Sequence, residues 1–300
     1  MTAAPLAPRH LLLALAVVAI WGTNFVVIRV GLDRLPPFLF ATLRFVFACF
    51  PALFFLRRPQ VTWASLAAYG VLIGAVQFGL LYLAMQSEIS PGLASLVVQV
   101  QVFFTIGLSV WISGERVRLF QLAALALAAL GILIIALNTD GRTTPLGLGL
   151  VLTAAAGWAG GNIVAKQSKV TDLLPFVVWG SLFSVPPLAA MSLLFEGAPA
   201  IRAALAQADA LTWAAVFWQS AGNTLFGYAA WGWLLSRYPA ATVSPLALLI
   251  PVVGIGSSAL FLGEPLPAWK LAAAGLVMAG LALGVLYPRW AARANLSPAA

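Results

Sequence analysis

The chain contains 300 residues, of which 62% are hydrophobic and only 8% are charged. Soluble domains usually carry about 25% charged residues, so this composition excludes a water-soluble globular protein and predicts that much of the surface faces lipid. The net charge of +8 is not interpreted as a nucleic-acid-binding signal, because the charged residues lie at the ends of apolar runs.

Ten apolar segments follow one another along the chain, each close to the roughly 20 residues that a helix needs to cross a bilayer. They cover residues 10–31, 38–56, 63–86, 91–113, 118–138, 146–167, 175–195, 211–236, 240–262 and 266–287. The first segment is longer than the apolar part of a cleaved signal peptide, which has about 7–15 residues. The predicted fold is therefore an all-α integral membrane protein with ten transmembrane helices.

The distribution of positive charge predicts how these helices are oriented. If the N-terminus is cytoplasmic, ten of the 16 Lys and Arg residues fall on the inner side of the membrane and four fall on the outer side. Such an excess on the inner side is what the positive-inside rule describes. We therefore predict a multi-pass protein of the bacterial cytoplasmic (inner) membrane, with both termini in the cytoplasm.

The two halves of the sequence share features at similar spacings. The first segment of each half has a Trp followed eight residues later by a basic residue, and the fourth segment of each half ends in Gly-Glu. The matching residues are Trp21 and Arg29, Trp158 and Lys166, Gly114-Glu115 and Gly263-Glu264. Because a unit of five helices reverses its direction when it is repeated, these matches predict two inverted five-helix repeats, 1–143 and 144–300, around a central cavity within one membrane domain.

Four short motifs are shared with a known family. They are Trp21-Gly22-Thr23-Asn24-Phe25, Arg44-Phe45, Gly114-Glu115 and Gly263-Glu264. On these motifs the sequence resembles the EamA-like, ten-helix branch of the drug/metabolite transporter superfamily, and within it the YddG-like exporters of aromatic amino acids. The resemblance implies a helical bundle around a central cavity that exports small metabolites by alternating access.

Polar and aromatic side chains near the middle of segments 1, 3, 4, 6, 8 and 9 predict a substrate site. Polar groups inside a bilayer are costly and usually face other helices or a water-filled cavity. The predicted substrate-binding residues are Trp21, Asn24, Gln77, Tyr82, Ser95, Gln99, Trp158, Asn162, Asn223, Tyr228 and Ser244. For any one of them, a hydrogen bond between helices is the alternative interpretation.

Helix geometry separates two neighbouring glutamines of the fourth segment. Gln99 and Gln101 are about 200° apart at 100° per residue, so at most one is expected to reach the substrate.

Pro91, Pro245 and Pro251 are predicted to form hinges, because proline removes a backbone hydrogen bond and kinked helices in both halves of a transporter mark its gates. A static kink is the alternative for each.

Three basic residues within the segments have open roles. Arg29 and Lys166 either attract an anionic substrate or extend to the lipid headgroups. Arg44 is placed more deeply and is expected to pair with a helix-end carbonyl or an acidic neighbour. No Asp or Glu lies near the middle of a segment, which argues against a proton-coupled pump for cationic drugs and favours a neutral or zwitterionic substrate.

Composition also limits cofactors and partners. One cysteine, Cys49, and one histidine, His10, exclude a metal-ligand cluster, so neither a metal nor a cofactor is predicted. The predicted partners are a small-molecule substrate and the lipid bilayer, without nucleic acid. Gly280 and Gly284 form a small-xxx-small pair that marks either close packing within the chain or a weak homodimer, so a monomer or a weak homodimer is expected.

The predicted function is a secondary transporter or exporter of small amphipathic metabolites, namely amino acids including aromatic ones, by alternating access. An exchanger of organic anions is the alternative within transport, and it requires Arg29, Arg44 or Lys166 to face the cavity. A channel would need a constriction lined by charges or carbonyls, and the sequence shows no ring of charged residues. A membrane-embedded enzyme is disfavoured, because Ser109 in a loosely nucleophile-like turn has no histidine base within the membrane.

Overall fold

The computed structural model describes residues 6–113, 118–138 and 143–294, and these residues are predominantly helical. They form ten long helical stretches and a short helix, Ala198–Ala206, between the seventh and the eighth. The long stretches are α1 (Pro8–Leu32), α2 (Pro37–Cys49), α3 (Trp63–Ser87), α4 (Pro91–Ile112), α5 (Leu119–Leu137), α6 (Pro145–Gln167), α7 (Leu173–Glu196), α8 (210–237), α9 (Ser244–Leu262) and α10 (Ala268–Ala294).

Among the described residues, nine helices are long and apolar enough to cross a membrane: α1–α7, α9 and α10, with α2 counted through Phe54. The chain is therefore a multi-pass helical membrane protein, as its composition predicts. The stretch α8 is equally long but less apolar. Its polar residues Gln219, Ser220, Asn223 and Thr224 are all buried, so α8 directs its polar groups into the protein.

Several helices contain irregular turns, and those of α3 and α8 lie at comparable positions. The helices α3 and α8 each include a π-helical segment, Val71–Gly79 and Trp218–Phe226. The helices α4 and α9 include 3₁₀ turns, Val98–Val100 and Ser244–Leu248. A π turn is rare and occurs frequently at functional sites, so these four helices are expected to surround the site.

Several of the larger helix contacts have a counterpart when α1–α5 are exchanged for α6–α10. The contact between α1 and α9 corresponds to that between α6 and α4, and the contact between α1 and α8 corresponds to that between α6 and α3. The helices α2 and α7, α4 and α9, and α5 and α10 are also in contact, and exchanging the two halves leaves each of these pairs the same. A Cβ atom at Gly280 would lie 2.5 Å from the Ala124 carbonyl oxygen, so this glycine allows α10 to approach α5 within the chain.

Two carboxylates each cap the start of a distant helix. Glu196, at the end of α7, accepts hydrogen bonds from the backbone N–H groups of Phe38 (2.6 Å) and Leu39 (3.1 Å). Glu264, after α9, accepts from the backbone N–H of Gly92 at 2.9 Å and from the Ser90 hydroxyl. The first N–H groups of a helix have no partner within it, and a negative charge there also complements the helix dipole.

Proline residues begin several of the helices rather than bend them. Pro91 stands in the first turn of α4 and Pro245 in the first turn of the 3₁₀ segment of α9, where proline costs little because its missing N–H would have no helical partner. Pro251 lies within α9. The prediction that these residues act as hinges stays a prediction.

Candidate substrate cavity

A cavity of about 490 Å³ lies inside the helical bundle. Residues of α1, α3, α4 and α6–α10 form its wall, so helices from both halves of the chain contribute. Its volume falls within the roughly 300–1,000 Å³ typical of small-molecule sites. The wall is mainly apolar and carries a few amide and hydroxyl groups, an arrangement suited to a small amphipathic ligand.

Nine of the eleven predicted substrate-binding residues line this cavity. They are Trp21, Asn24, Gln77, Gln99, Trp158, Asn162, Asn223, Tyr228 and Ser244. The wall also includes Pro251 and several residues that were not predicted, among them Phe25, Tyr69, Phe78 and Trp231. Aromatic residues facing a cavity and aromatic residues facing lipid look alike in a sequence, which explains why these four were missed.

Tyr82 and Ser95 do not contribute to the cavity wall. Tyr82 is fully buried, and its hydroxyl donates to the Gln219 Oε1 atom at 2.9 Å. Ser95 donates to the Gly92 carbonyl at 2.7 Å and lies against Gly254, where a Cβ atom would be 2.4 Å from the serine Oγ. Tyr82 therefore makes a hydrogen bond between helices, the alternative that its sequence position left open, whereas the Ser95 hydrogen bond stays within α4 and its side chain packs against α9.

Gln99 and Gln101 both line the cavity, and the expectation that at most one of them reaches the substrate stays a prediction. That expectation assumed a regular α-helix, but Val98–Val100 adopt a 3₁₀ turn, and the cavity extends around this part of α4. The two glutamines still differ in their bonding. The Gln101 Oε1 atom accepts from the Asn162 amide at 2.9 Å, so that side chain is already engaged.

Two amide side chains in the wall have unused hydrogen-bonding capacity. Asn24 and Gln77 are each only 4% exposed, and their side-chain oxygens accept no hydrogen bond from any described residue. A buried polar group without a partner costs about 1–3 kcal/mol. A ligand that donated hydrogen bonds to these amides would remove that cost, so Asn24 and Gln77 are the strongest candidates for polar recognition.

Aromatic rings form one end of the wall. The Trp21 indole donates to the Asn223 carbonyl oxygen at 3.0 Å. Its ring centroid lies 5.7 Å from that of Tyr228 and 5.3 Å from that of Trp231, both in tilted arrangements. These separations are within the range of favourable aromatic contacts, and the group offers a rigid apolar surface for a planar side chain.

Comparison with known proteins identifies the class of protein to which this cavity belongs. Residues 9–137 and 145–286 match the EamA-like transporter family. The chain belongs to the EamA-like transporter family. This result confirms the family predicted from the short motifs, and the cavity is therefore that of a membrane transporter.

Three curated relatives cover nearly all of this EamA-like chain. A probable amino-acid metabolite efflux pump of Salmonella typhimurium is 44% identical over 279 residues, 91% of this chain and 93% of that protein. A protein of Escherichia coli K12 with the same description is 41% identical over 285 residues, 93% of this chain and 95% of its own. A probable terminal-alkyne amino-acid exporter of Streptantibioticus cattleyicolor is 26% identical over 279 residues, 89% and 90% of the two chains.

A solved crystal structure shows the same fold as this EamA-like transporter. The two superpose with a TM-score of 0.61 at 18% sequence identity, over 94% of this chain and 98% of the other. Because the sequence identity is so low, the similarity shows a shared fold and nothing more specific. It supports the bundle described above as a fold that a solved structure shares.

The cavity of this EamA-like transporter reaches one face of the bundle. Ala165 and Leu173 flank the connection between α6 and α7, and Leu235 and Ser244 flank the connection between α8 and α9, and all four line the cavity. Toward the opposite face, the described lining residue nearest a helix end is Ile28, in the last turn but one of α1. The cavity is thus open toward the α6–α7 and α8–α9 connections.

The opposite face is closed by polar contacts between distant segments. The carboxylate caps of Glu196 and Glu264 lie there, and Arg34 approaches Asp209 to 3.4 Å. The side-chain hydroxyl and the backbone N–H of Thr212 donate to Asp209 and lower the pKa of that carboxyl group. Several such contacts would have to separate before the cavity could open on this side.

None of the three basic residues considered for anion binding lines the cavity. Arg29 donates to the Met85 carbonyl at 3.2 Å and pairs with Asp33 at the end of α1. Lys166 is exposed at the end of α6. Arg44 is buried, yet it lies behind the wall. The condition for the organic-anion alternative, a cation facing the cavity, is therefore not met by the described residues.

Gly227 has no side chain and so leaves room for the Trp21 ring, and substitution of this glycine should disturb the cavity. A Cβ atom at Gly227 would lie 2.4 Å from the Trp21 Nε1 atom, so Gly227→Ala is expected to displace the indole and break its bond to Asn223. We expect transport by this variant, measured in proteoliposomes, to fall several-fold while the protein remains folded.

Gly222→Ala is the matched control for this prediction. It adds a methyl group to the same helix, but its nearest neighbour, a ring atom of Trp218, would be at an ordinary contact distance of 3.6 Å. Equal transport by the two variants would show that the position of the Trp21 ring does not matter.

Proposed function

We propose that this transporter exports amino-acid metabolites, aromatic amino acids included, across the bacterial cytoplasmic membrane. The observation that carries the proposal is the cavity wall itself, in which Asn24 and Gln77, with their unpaired amide oxygens, lie in the same enclosure as the aromatic group of Trp21, Tyr228 and Trp231. Amides bind ammonium and carboxylate groups, and the rings bind an apolar side chain. The descriptions of the relatives as amino-acid efflux pumps or exporters support the same substrate class.

The transport mechanism that we propose is alternating access between two inverted five-helix repeats, 1–143 and 144–300, with ten transmembrane helices in all. The exchangeable packing of α1–α5 and α6–α10 supports it, as do the paired π and 3₁₀ segments. The family matches two ranges separated between residues 137 and 145, close to the proposed boundary. Gly114-Glu115 lies outside the described residues, so its correspondence to Gly263-Glu264 rests on the sequence.

The direction in which the cavity opens then follows from the proposed orientation. With both termini in the cytoplasm, the α6–α7 and α8–α9 connections are cytoplasmic, and these connections and the adjoining helix ends carry Lys166, Lys169 and Arg237. The described conformation is then open inward and ready to load substrate from the cell interior. The contacts of Glu196 and Glu264 then hold the external side closed.

The proposed substrate site predicts the effect of removing its two unpaired amides. Purified protein in liposomes should take up radiolabelled phenylalanine or tryptophan, with competition by the unlabelled compounds. The double variant Asn24→Ala, Gln77→Ala should lose most of this flux, because hydrogen bonds to charged groups contribute about 1.5–3 kcal/mol each.

The control variant Asn138→Ala removes an exposed amide at the end of α5, outside the cavity. It should transport like the wild type. Full activity of the double variant would rule out these amides as substrate ligands. Absence of flux for every amino acid tested with folded wild-type protein would contradict the proposed substrate class.

A further inference from the structure

Arg44 is a buried cation whose described hydrogen-bond partners are all neutral. It lies within the membrane-spanning helix α2 and is 1% exposed. Its guanidinium donates to the Tyr82 hydroxyl, the Gln219 Oε1 atom and the Thr224 hydroxyl, each at 3.1 Å. No ion pair between described residues includes Arg44.

The lack of a carboxylate partner is unusual for a charge in this position. Ionised side chains within a membrane are expensive and generally mark functional sites, and buried charges are normally paired with an opposite charge. Here the Nε atom of Arg44 also lacks an acceptor among the described residues. The three neutral acceptors hold the guanidinium in place but leave its positive charge uncompensated.

This charge lies directly behind the cavity wall. The guanidinium carbon is 3.6 Å from the centre of the Phe78 ring, and Phe78 lines the cavity. Because atoms in van der Waals contact approach to about 4 Å, a ligand atom touching this ring lies within roughly 9 Å of the charge.

The field of Arg44 is not cancelled within the cavity. No Asp or Glu among the described residues lines it. Fields act over longer distances in a protein interior than in water, because the effective dielectric constant is lower. Arg44 therefore contributes a positive potential to the interior of the cavity, although no cation among the described residues forms part of its wall.

We propose that Arg44 is a specificity-determining residue that selects ligands bearing a carboxylate and rejects the corresponding amines. This inference rests on the proposed function and narrows its substrate class, since an amino acid is favoured over its decarboxylated product. Phe78 separates the guanidinium from the ligand, so the selection acts through the field and no salt bridge forms that would retain the substrate.

A single isosteric substitution can neutralise the charge without disturbing its surroundings. Gln219→Glu preserves the oxygen that accepts from Arg44 and Tyr82. It also replaces the Nε2 group, which has no hydrogen-bond partner among the described residues. The new carboxylate would lie about 3 Å from the guanidinium, since Gln219 Oε1 is at 3.1 Å in the structure. Arg44→Gln provides a second, independent removal of the charge.

Three probes with one ring system report the selectivity: tryptophan, indole-3-propionate and tryptamine, which are a zwitterion, an anion and a cation. Their affinities for purified protein are measured by calorimetry. We expect the wild type to bind indole-3-propionate at least tenfold more tightly than tryptamine, because a unit charge at about 9 Å changes the affinity of each ligand by roughly twentyfold, in opposite directions, at an effective dielectric constant of about 20. Gln219→Glu and Arg44→Gln should reduce this ratio to about threefold or less, and Asn138→Asp, with the same added charge at an exposed site, should not.

The outcomes separate this inference from the proposed function. An unchanged ratio in folded Gln219→Glu, with tryptophan still bound, overturns the role of Arg44 and leaves amino-acid export in place. Binding of indole-3-propionate without tryptophan, with the ratio lost in the variants, supports Arg44 and contradicts amino-acid export. A uniform loss of all three affinities would assign Arg44 a structural role, and no binding of any probe by the folded wild type would overturn both proposals for aromatic ligands.

Discussion

Lys270→Met is expected to lower the melting temperature of the protein by roughly 10 °C or more. Lys270 donates to the Glu264 Oε1 atom at 2.9 Å, and both side chains are only 6% exposed. Removing one partner of a buried ion pair costs about 3–5 kcal/mol, because the other charge stays buried without compensation. The remaining partners of Glu264, Ser90 and Gly92, are neutral.

The double variant Glu264→Gln, Lys270→Met separates the cost of an unpaired charge from the loss of contacts. A glutamine at position 264 can still accept from the Gly92 N–H and leaves no net charge, so this variant should recover much of the lost stability. Thermal unfolding in detergent, followed by intrinsic fluorescence, measures both. Should Lys270→Met melt with the wild type, the pair would contribute little to holding α4 against the α9–α10 connection.

Ala247→Trp is expected to abolish transport and leave the fold intact. Ala247 lines the cavity from the 3₁₀ turn of α9 and is partly exposed to it, so a larger side chain can enter open space. An indole ring in a cavity of about 490 Å³ would compete directly with an aromatic substrate. We expect uptake by proteoliposomes to fall at least tenfold, together with binding of tryptophan by the purified protein.

Ala126→Trp is the control for this variant, because Ala126 is exposed on α5 and does not line the cavity. It makes the same chemical change at a surface that faces lipid. Transport should stay close to that of the wild type. Equal loss in both variants would mean that the bundle does not tolerate an added ring, and normal transport by Ala247→Trp would place the substrate pathway elsewhere.

The helical membrane fold was predictable because its main determinant is local. Apolar runs of about 20 residues form helices in lipid, where every backbone group needs a partner within the segment. The sequence does not reveal where those helices become irregular. The predicted segment 38–56 is α-helical only to Cys49 and continues as a 3₁₀ turn over Ala52–Phe54, and the predicted connection 196–210 contains a short helix.

The cavity-lining residues were largely predictable because polar side chains in the middle of a membrane segment have few other places to point. Which of them serve the cavity depends on partners far away in the sequence. Tyr82 bonds to Gln219 on α8, and Asn162 bonds to Gln101 while still lining the cavity. Neither contact has a signal in local spacing.

Arg44 shows the limit of reasoning from the sequence most clearly. Its deep position was evident, but a helix-end carbonyl or an acidic neighbour was the expected partner. The structure instead surrounds the guanidinium with Tyr82, Gln219 and Thr224. Charge balance usually identifies the partner of a buried cation, and that criterion failed because the described partners are neutral.

The π-helical segment of α8 has a consequence for how related transporters can diverge. Successive helical residues are rotated by about 100°, so inserting or deleting one residue within Trp218–Phe226 would turn the rest of the helix by that angle. Tyr228, Trp231 and Leu235 would then leave the cavity, and side chains that now face other helices or lipid would replace them. A change of one residue in length at this point would thus exchange a whole set of ligand contacts at once, whereas a point substitution alters a single contact.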